Sequence, residues 1–401
     1  MKKGSGIAVV ITVCAFLGCV KMHAGVSAEE KTSPSQSSEE LTPVLGQVLS
    51  KPRAAESSDG SFHVNYELVV INAASSSYTI ENITIINPQK SDAKIRLLTE
   101  KDIMENIRLP GADEPTTTLL PSQAGYVRIN LVFAAGDTIP HIIEHIITAT
   151  TDKPGPLMPR RVVEKVARTE VITGQSVLIG PPVKGGNWIV AGIGGNSYHR
   201  TTIMPINGWW VAPERWAVDF LQLDEQNRPW SGDITKNESY PQFGKELIAV
   251  SDGVVERVRD GMPDIPPGEM PENMTLRDAA GNYVVQNIGS GYRALYAHIK
   301  KGTIRVKEGE RVRGGDSIGL LGNSGNTDAP HLHFQIVDDK EPFASDGVPF
   351  VIDSFLIRGE PVSPESIEDD FKSGQPLQIK AGKSAGGHIN KMPADLSIVD
   401  F

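Results

Sequence analysis

Histidines in the C-terminal half of the chain occur at a spacing that could bind a metal ion or transfer protons. Residues 330–336 read Pro-His-Leu-His-Phe-Gln-Ile, and their alternation of apolar and polar side chains predicts a strand with one buried face. His331 and His333 then point to the same side of that strand. Two imidazoles one pleat apart can serve a single centre, although two surface histidines on a half-exposed strand would show the same pattern.

Two further segments place a polar group at or within an apolar strand. Residues 293–298 read Arg-Ala-Leu-Tyr-Ala-His and put His298 at a strand end. Taken by itself, His298 is more simply interpreted as a polar residue at the strand edge than as a functional group. Residues 216–220 contain one carboxylate, Asp219, in an otherwise apolar run. Burying an unpaired charge is costly, so Asp219 needs a strong partner, and a cation is a good candidate.

A second histidine pair matches a known metal motif but lies in a segment that predicts a strand rather than a helix. His141 and His145 enclose Ile-Ile-Glu, which gives the His-x-x-Glu-His pattern that inverted zinc proteases carry. The surrounding isoleucines and threonines favour a strand. Four residues of strand span about 13 Å, too far for two imidazoles to share a zinc ion easily. We therefore interpret this segment as structural.

The composition indicates that these groups lie on short strands in a folded, two-domain protein. The 401 residues include 39 glycines and 28 prolines, so the chain turns often and long helices should be scarce. This length allows two domains, each with its own core. The formal net charge is −10 and no basic run occurs, which excludes the electrostatic signature of nucleic-acid binding.

The N-terminal half predicts an all-β domain. Residues 62–70 alternate, with apolar side chains on one side and His63, Asn65 and Glu67 on the other. Further strand-like runs follow, separated by turn residues. An immunoglobulin-like β-sandwich over residues 44–174 is the simplest way to bury such faces.

The beginning of the chain resembles an export signal. Residues 1–28 have a basic start, an apolar run too short for a comfortable membrane span, and small residues before a predicted cleavage site after Ala28. Both cysteines lie in this segment; the alternative interpretation makes Cys19 a lipid-modified N-terminus. Residues 29–43 are polar and predict a flexible linker. We expect a protein of the periplasm, cell envelope or extracellular space, whose metal sites use histidines and carboxylates.

Taken together, the C-terminal segments resemble the lysostaphin-like or LytM-type zinc metallopeptidases, which cut bacterial cell-wall peptides. The resemblance covers residues 185–355, under half of the chain. It implies a LytM-type antiparallel β domain, a duplicated hybrid motif, over residues 175–358, and leaves 359–401 as an extended tail. The motifs that carry it are Ala217–Phe220, residues 243–255, Tyr296–His298, residues 322–326 and His331–Phe334.

The resemblance assigns roles to four of these residues. In that family the aspartate and the second histidine of the His-x-His pair bind zinc, which implies that Asp219 and His333 are metal ligands. The histidine of the Tyr-Ala-His motif and the first histidine of the pair act in catalysis, which implies catalytic roles for His298 and His331. The chain is therefore expected to hydrolyse peptide bonds of peptidoglycan with one Zn²⁺ ion.

One departure from the family affects the third ligand. The usual first ligand is a histidine four residues before the aspartate, but that position holds Arg215, which cannot ligate zinc. His199 resembles the corresponding ligand of a variant branch, so we take His199 as the third ligand. The alternative is a catalytically degenerate LytM-like module that binds and activates a cell-wall amidase. Arg215 favours this alternative, whereas retention of Asp219, His298, His331 and His333 opposes it.

If all three ligands are present, zinc chemistry follows. Two imidazoles and one carboxylate leave a fourth position open for water, whose pKa a catalytic zinc ion lowers towards about 7. A nucleophile is then available at neutral pH, and histidines that do not bind the metal can handle protons or stabilise an oxyanion.

Overall fold

The structure is a computed structural model that describes residues 41–401, except 111, 113, 157, 175, 196, 270, 272 and 273. Leu41–Phe401 form one compact unit. The predicted signal peptide at 1–28, the lipid-anchor alternative at Cys19 and the linker as far as residue 40 lie outside the described residues.

Ten strands and one short helix, spanning residues 44–170, make up what we term the N-terminal body. They are β1 (Val44–Val48), β2 (Arg53–Glu56), β3 (Phe62–Asn72), β4 (Tyr78–Asn87), β5 (Ala93–Thr99), α1 (Glu100–Asn106), β6 (Ile107–Arg108), β7 (Thr118–Leu119), β8 (Ala124–Phe133), β9 (Ile142–Thr150) and β10 (Arg161–Glu170). The helix begins at a capping box, in which Thr99 and Asp102 satisfy each other's backbone amides.

Two antiparallel sheets of the N-terminal body share one hydrophobic core. One sheet has the order β1-β3-β8-β6 with β2 also on β3, and the other has the order β10-β9-β4-β5 with β7 also on β4. The alternation predicted for 62–70 is present, because Val64, Tyr66 and Leu68 are fully buried in that core. The other face of β3 is not exposed to solvent either, because Asn65 and Glu67 are also buried.

The remaining elements, from residue 177 onward, make up what we term the C-terminal body. Up to residue 361 they are β11 (Val177–Ile179), β12 (Trp188–Ala191), the 3₁₀ helix η1 (Tyr198–Thr201), β13 (Met204–Ile206), β14 (Trp209–Val211), β15 (Val218–Gln222), η2 (Asn237–Ser239), β16 (Glu246–Ile248), β17 (Gly253–Arg259), α2 (Leu276–Ala279), β18 (Asn282–Gly289), β19 (Tyr292–Ile299), β20 (Arg311–Val312), β21 (Ser317–Leu320), β22 (Leu332–Val337) and β23 (Phe350–Pro361). Among the described residues, no helix has the length and hydrophobicity needed to span a membrane.

One large sheet organises the C-terminal body. Its order is β11-β23-β26-β12-β15-β22-β19-β18-β17-β20, in which β26 (Ile398–Asp400) comes from the end of the chain. Its pairs are antiparallel except for β11 with β23. The mainly β, antiparallel character predicted from the sequence is thus present. A core packs against one face of the sheet and includes Phe220 of β15, Tyr296 of β19, and Leu332, Phe334 and Ile336 of β22.

The segment assigned by the sequence to an extended tail contributes ordered elements to this body. They are η3 (Pro364–Ser366), α3 (Ile367–Ser373), β24 (Ile379–Lys380), β25 (Gly386–Lys391) and β26 (Ile398–Asp400). β26 pairs with both β12 and β23 and so lies inside the large sheet. The domain limits themselves stay a prediction.

Candidate metal centre

The central strands of the large sheet bring the site residues together by register. Asp219 in β15 lies directly opposite His333 in β22, and His333 lies opposite Ala297 in β19. Because side chains alternate along a strand, Asp219 and His333 project to the face opposite Phe220 and Phe334, which lie in the core. The sheet therefore presents a carboxylate and an imidazole side by side.

His199 reaches this pair from a loop outside the sheet. It lies in η1, whose first turn is capped by the Ser197 side chain accepting from the His199 amide at 3.1 Å. The His199 Nδ1 lies 2.8 Å from the Gly192 carbonyl oxygen, and Nε2 lies 3.3 Å from Asp219 Oδ1. Since a carbonyl only accepts, Nδ1 carries the proton and Nε2 presents its lone pair to the centre.

His333 is oriented in the same way by a side-chain amide. Its Nδ1 lies 3.1 Å from Asp219 Oδ1, and its Nε2 lies 3.0 Å from Gln335 Oε1. The Gln335 amide nitrogen donates to the Pro342 carbonyl at 3.3 Å, so its oxygen is the atom that faces His333. Gln335 therefore accepts from Nε2–H and leaves Nδ1 as the ligand atom.

The three residues fit a zinc ion by ligand type and by spacing. One ligand atom from each of His199, Asp219 and His333 lies within 4.8 Å of the others, and all three residues are buried. Ligand atoms bound at about 2.0–2.1 Å in a tetrahedron lie about 3.4 Å apart, so small side-chain adjustments bring the set to zinc geometry. Within the part of the chain that the structure describes, this is the one such group of three.

His298 enters the site because β19 is interrupted at its end. The pairing of β18 with β19 shifts between Val284 and Asn282, where β19 contains an extra residue, and His298 has a positive φ of 60°. Such bulges redirect a side chain that regular alternation would send to the other face. The His298 Nδ1 lies 2.8 Å from the Ser324 carbonyl oxygen, so Nε2 is free to accept a proton.

His331 completes the cluster just before β22 begins. Its Nδ1 lies 2.8 Å from the Ala329 carbonyl oxygen, and its Nε2 lies 3.6 Å from Asp219 Oδ1. The ring centroids of His298 and His331 are 4.7 Å apart, and those of His298 and His333 are 6.0 Å apart. All five residues proposed from the sequence thus lie in one cluster.

The electrostatics of the cluster centre on Asp219. Burial raises the pKa of Asp219, but the neighbouring His199 and His331 outweigh burial and hold this pKa well below its usual range. Burial lowers the pKa of His333, but hydrogen bonding and attraction to Asp219 outweigh burial and raise this pKa to about 9. Burial and the neighbouring histidines lower the pKa of His298 well below its usual value. Ligands must be deprotonated to bind metal, so protons compete with a cation here.

Two residues at the centre were not singled out from the sequence. The Tyr198 hydroxyl donates to Asp219 Oδ2, and Gln335 orients His333. Gln335 could have been found, because it shares the face of His333 two residues further along the strand. Tyr198 has no such signal, since its contact with Asp219 depends on the path of the loop before η1.

Arg215 is buried, and its guanidinium binds carboxylates rather than approaching a metal ligand. Its Nε and Nη2 donate to Glu67 Oε2 at 2.8 and 2.5 Å, and Nη2 also donates to Asp346 at 3.1 Å. The position of the family's usual histidine is therefore used for an ion pair with the N-terminal body.

The His-x-x-Glu-His segment has a structural role, as its strand pattern predicts. His145 lies in β9, fully buried, with Nε2 2.8 Å from the Tyr66 hydroxyl and Nδ1 3.2 Å from the Ala167 carbonyl oxygen. Both ring nitrogens are engaged within the N-terminal body.

Comparison with known sequences identifies part of the C-terminal body. The sequence profile of Peptidase family M23 matches residues 239–345, a segment that contains His298, His331 and His333. Asp219 and His199 precede the matched segment.

Individual relatives match over short stretches. The peptidoglycan DD-endopeptidase ShyA of Vibrio cholerae is 47% identical over 58 residues, which cover 14% of this chain and 13% of ShyA. An uncharacterized metalloprotease of Buchnera aphidicola is 44% identical over 110 residues, which cover 26% of this chain and 24% of that protein. The chain thus spans at most about a quarter of the length of these two relatives. A solved zinc-containing peptidase from Vibrio cholerae aligns with 71% of this chain and 80% of its own at 13% identity, with a TM-score of 0.23.

Proposed function

We propose, from the premise that residues 239–345 form a Peptidase family M23 domain, that this protein is a zinc-dependent endopeptidase that hydrolyses peptide bonds of bacterial peptidoglycan. The observation that carries the proposal is the convergence of His199, Asp219 and His333, with one ligand atom of each within 4.8 Å of the others. The substrate class is suggested by the relative ShyA, a peptidoglycan DD-endopeptidase.

His199 Nε2, an oxygen of Asp219 and His333 Nδ1 would hold the ion. Zinc bound by such a set supplies a Lewis acid for the scissile carbonyl and lowers the pKa of water. Gly192 and Gln335 keep the proton of each imidazole on the nitrogen that points away, which leaves the ligand nitrogens unprotonated.

His298 and His331 would move protons during hydrolysis. Each has its Nδ1 against a backbone carbonyl, so each presents Nε2 to the space beside the ligands. One Nε2 can accept a proton from the attacking water, and a protonated Nε2 can then deliver it to the leaving nitrogen as the C–O bond forms and the C–N bond breaks. The other can donate a hydrogen bond to the developing oxyanion.

A direct test combines metal analysis with digestion of purified sacculi. The wild-type protein is expected to contain about one zinc per chain and to release soluble fragments bearing new amino groups. A chelator should abolish the release, and added zinc should restore it. Zinc-loaded protein that releases nothing from sacculi would contradict the proposal.

The same assay distinguishes the amidase-activator alternative, which Arg215 favours at the sequence level. A degenerate activator would release nothing alone but would increase the release produced by an added cell-wall amidase. The geometry favours the enzyme, because the guanidinium of Arg215 is committed to Glu67 and Asp346 while His199 supplies an imidazole beside Asp219.

Export and the N-terminal body complete the proposal. A signal peptide at residues 1–28 would deliver the protein to the envelope, where peptidoglycan lies. Incorporation of labelled fatty acid that depends on Cys19 would instead indicate the lipid-anchored form. We assign the N-terminal body to the immunoglobulin-like sandwiches, because two antiparallel sheets cover one core.

A further inference from the structure

We infer that the N-terminal body positions the segments carrying His199 and Asp219, acting through Glu67 and Asn130. This inference rests on the proposed zinc site and goes beyond it, because it makes side chains of the other body part of the metal-binding apparatus. A body that served only as a spacer would leave metal affinity unchanged when these side chains were altered.

Glu67 is the centre of a buried ion cluster between the two bodies. It lies in β3 with 0% of its surface exposed. Arg215 donates to Glu67 Oε2 through Nε and Nη2, and Arg200 Nη2 lies 3.6 Å from Glu67 Oε1. A fully buried carboxylate remains charged only when it is paired, so the three side chains hold one another in place.

Arg200 connects Glu67 to the loop of the first ligand. It follows His199 directly, and its Nη1 donates to the Gly195 carbonyl of the same loop at 2.6 Å. Its Nη2 donates to the carbonyls of Tyr66 and Ile129, in β3 and β8, at 3.1 and 3.0 Å. One planar guanidinium thus joins the His199 loop to two neighbouring strands of the N-terminal body.

Arg215 connects Glu67 to the other two ligand segments. It lies four residues before Asp219, where the chain enters β15. Its Nη2 also donates to Asp346, in the segment that follows the strand of His333. A shift of Glu67 would therefore be transmitted towards both ligand strands.

A second contact, independent of charge, presses the His199 loop onto the N-terminal body. A Cβ added to Gly195 would overlap the side-chain amide of Asn130, at both Nδ2 and Cγ. Asn130 belongs to β8. A larger residue at 195 would have to displace the Asn130 side chain or move the loop away from β8, and His199 with it.

The test measures metal affinity in the full chain. Zinc dissociation constants, obtained by competition with a chelator, and the visible absorption of the Co²⁺-substituted protein are compared for wild type, Glu67→Asp and Gly195→Ala. The shorter aspartate keeps the charge but cannot reach both arginines, and the methyl group that Gly195→Ala adds must displace Asn130. Each variant is expected to bind zinc about 10-fold more weakly and to show an altered Co²⁺ spectrum, as changes that misorient ligands do.

A matched control separates positioning from general damage to the N-terminal body. Glu164 is also buried there, and its Oε2 accepts from the Val44 amide at 3.0 Å. Glu164→Asp should lower the free energy of unfolding without changing zinc affinity. In the Gly195→Ala background, Asn130→Ala removes the clashing amide and should recover most of the lost affinity.

The outcomes separate this inference from the proposed function. If the wild-type protein binds no zinc, the proposed function fails. If it binds zinc, and folded Glu67→Asp and Gly195→Ala bind it with wild-type affinity and spectrum, the inference alone is overturned. Circular dichroism verifies that each variant folds. Should Glu67→Asp not fold, the comparison of Gly195→Ala with the Gly195→Ala, Asn130→Ala double variant, which removes no charge, tests whether the N-terminal body positions the ligands.

Discussion

At the scale of single residues, the histidines of the cluster differ in how closely they approach Asp219. His199 and His333 each place a ring nitrogen within 3.3 Å of Asp219 Oδ1, whereas His298 is held by the Ser324 carbonyl instead. The other ring nitrogen of His199 and of His333 donates to an oxygen, which fixes the tautomer. His331 Nε2 lies farther from Asp219 Oδ1, at 3.6 Å, so the order of these distances corresponds to the proposed division between metal ligands and proton-transfer groups.

The first prediction tests that division by substitution. His333→Ala should lose both zinc and hydrolytic activity, because it removes a ligand. His298→Ala should lose activity by a factor of about 10²–10⁴ while retaining zinc, because it removes only proton transfer. Metal content by atomic emission and fragment release from sacculi are measured on the same preparations. Loss of zinc from folded His298→Ala would refute the assignment.

The second prediction concerns the support of a ligand by Gln335. Gln335→Leu leaves the Nε2–H of His333 without its acceptor, so zinc affinity should fall about 10- to 100-fold. Gln335→Glu keeps an acceptor oxygen at that position and should retain most of the affinity. Equal zinc affinities in the leucine and glutamate variants would show that Gln335 does not orient His333.

At the scale of elements, the sequence predicts what depends on local alternation. The pattern of residues 330–336 predicted the buried face of β22. The cost of burying an isolated carboxylate predicted a strong partner for Asp219, and His333 Nδ1 lies 3.1 Å from its Oδ1. The bulge that turns His298 towards the cluster is a departure from alternation, and nothing in residues 293–298 signals it. Strand patterns show which residues share a face of the sheet, but they do not show where a bulge interrupts the alternation.

The third prediction concerns a buried histidine in β9 of the N-terminal body. Burial lowers the pKa of His145 to about 4, against about 6.5 for an exposed histidine. The unfolded chain therefore binds this proton more readily, so the free energy of unfolding should fall as the pH drops from about 6.5 to about 4. Over that range the loss from this one group is about 3 kcal/mol.

Urea unfolding at a series of pH values measures this dependence. His145→Gln removes the titrating group. In this pH window, the slope of its free energy of unfolding against pH should therefore be smaller than that of wild type, by the amount that corresponds to the uptake of about one proton on unfolding. Identical slopes for wild type and His145→Gln would contradict the burial argument.

At the scale of the whole molecule, the contacts between the two bodies were beyond sequence reasoning. The pattern of residues 62–70 placed Glu67 opposite the core face, which for an isolated sheet means solvent. The C-terminal body covers that face, and Arg200 and Arg215 pair with the carboxylate there. Such burial depends on partners more than a hundred residues away in the chain, so no local pattern carries it.

The fourth prediction concerns the end of the chain, whose last strand is part of the large sheet. Ile398 in β26 is 1% exposed and packs with Ile189, Leu223 and Leu377, whereas Ile389 in β25 is 72% exposed. Ile398→Ala should lower the free energy of unfolding by about 2–5 kcal/mol, because it leaves a cavity beside β12. Ile389→Ala makes the same chemical change at an exposed site and should stay within about 0.5 kcal/mol of wild type.

Denaturant unfolding of the two isoleucine variants, followed by tryptophan fluorescence, measures this difference. β12 leads directly to Gly192, whose carbonyl holds His199, so destabilisation at Ile398 should extend to the metal centre. Zinc would then stabilise the Ile398→Ala protein less than wild type at the same free zinc concentration, since stabilisation by a ligand follows its affinity for the folded state. Equal stabilities for the two variants would indicate that β26 contributes little to the stability of the sheet. If zinc raised the free energy of unfolding equally in wild type and Ile398→Ala, packing around β12 would not affect the position of His199.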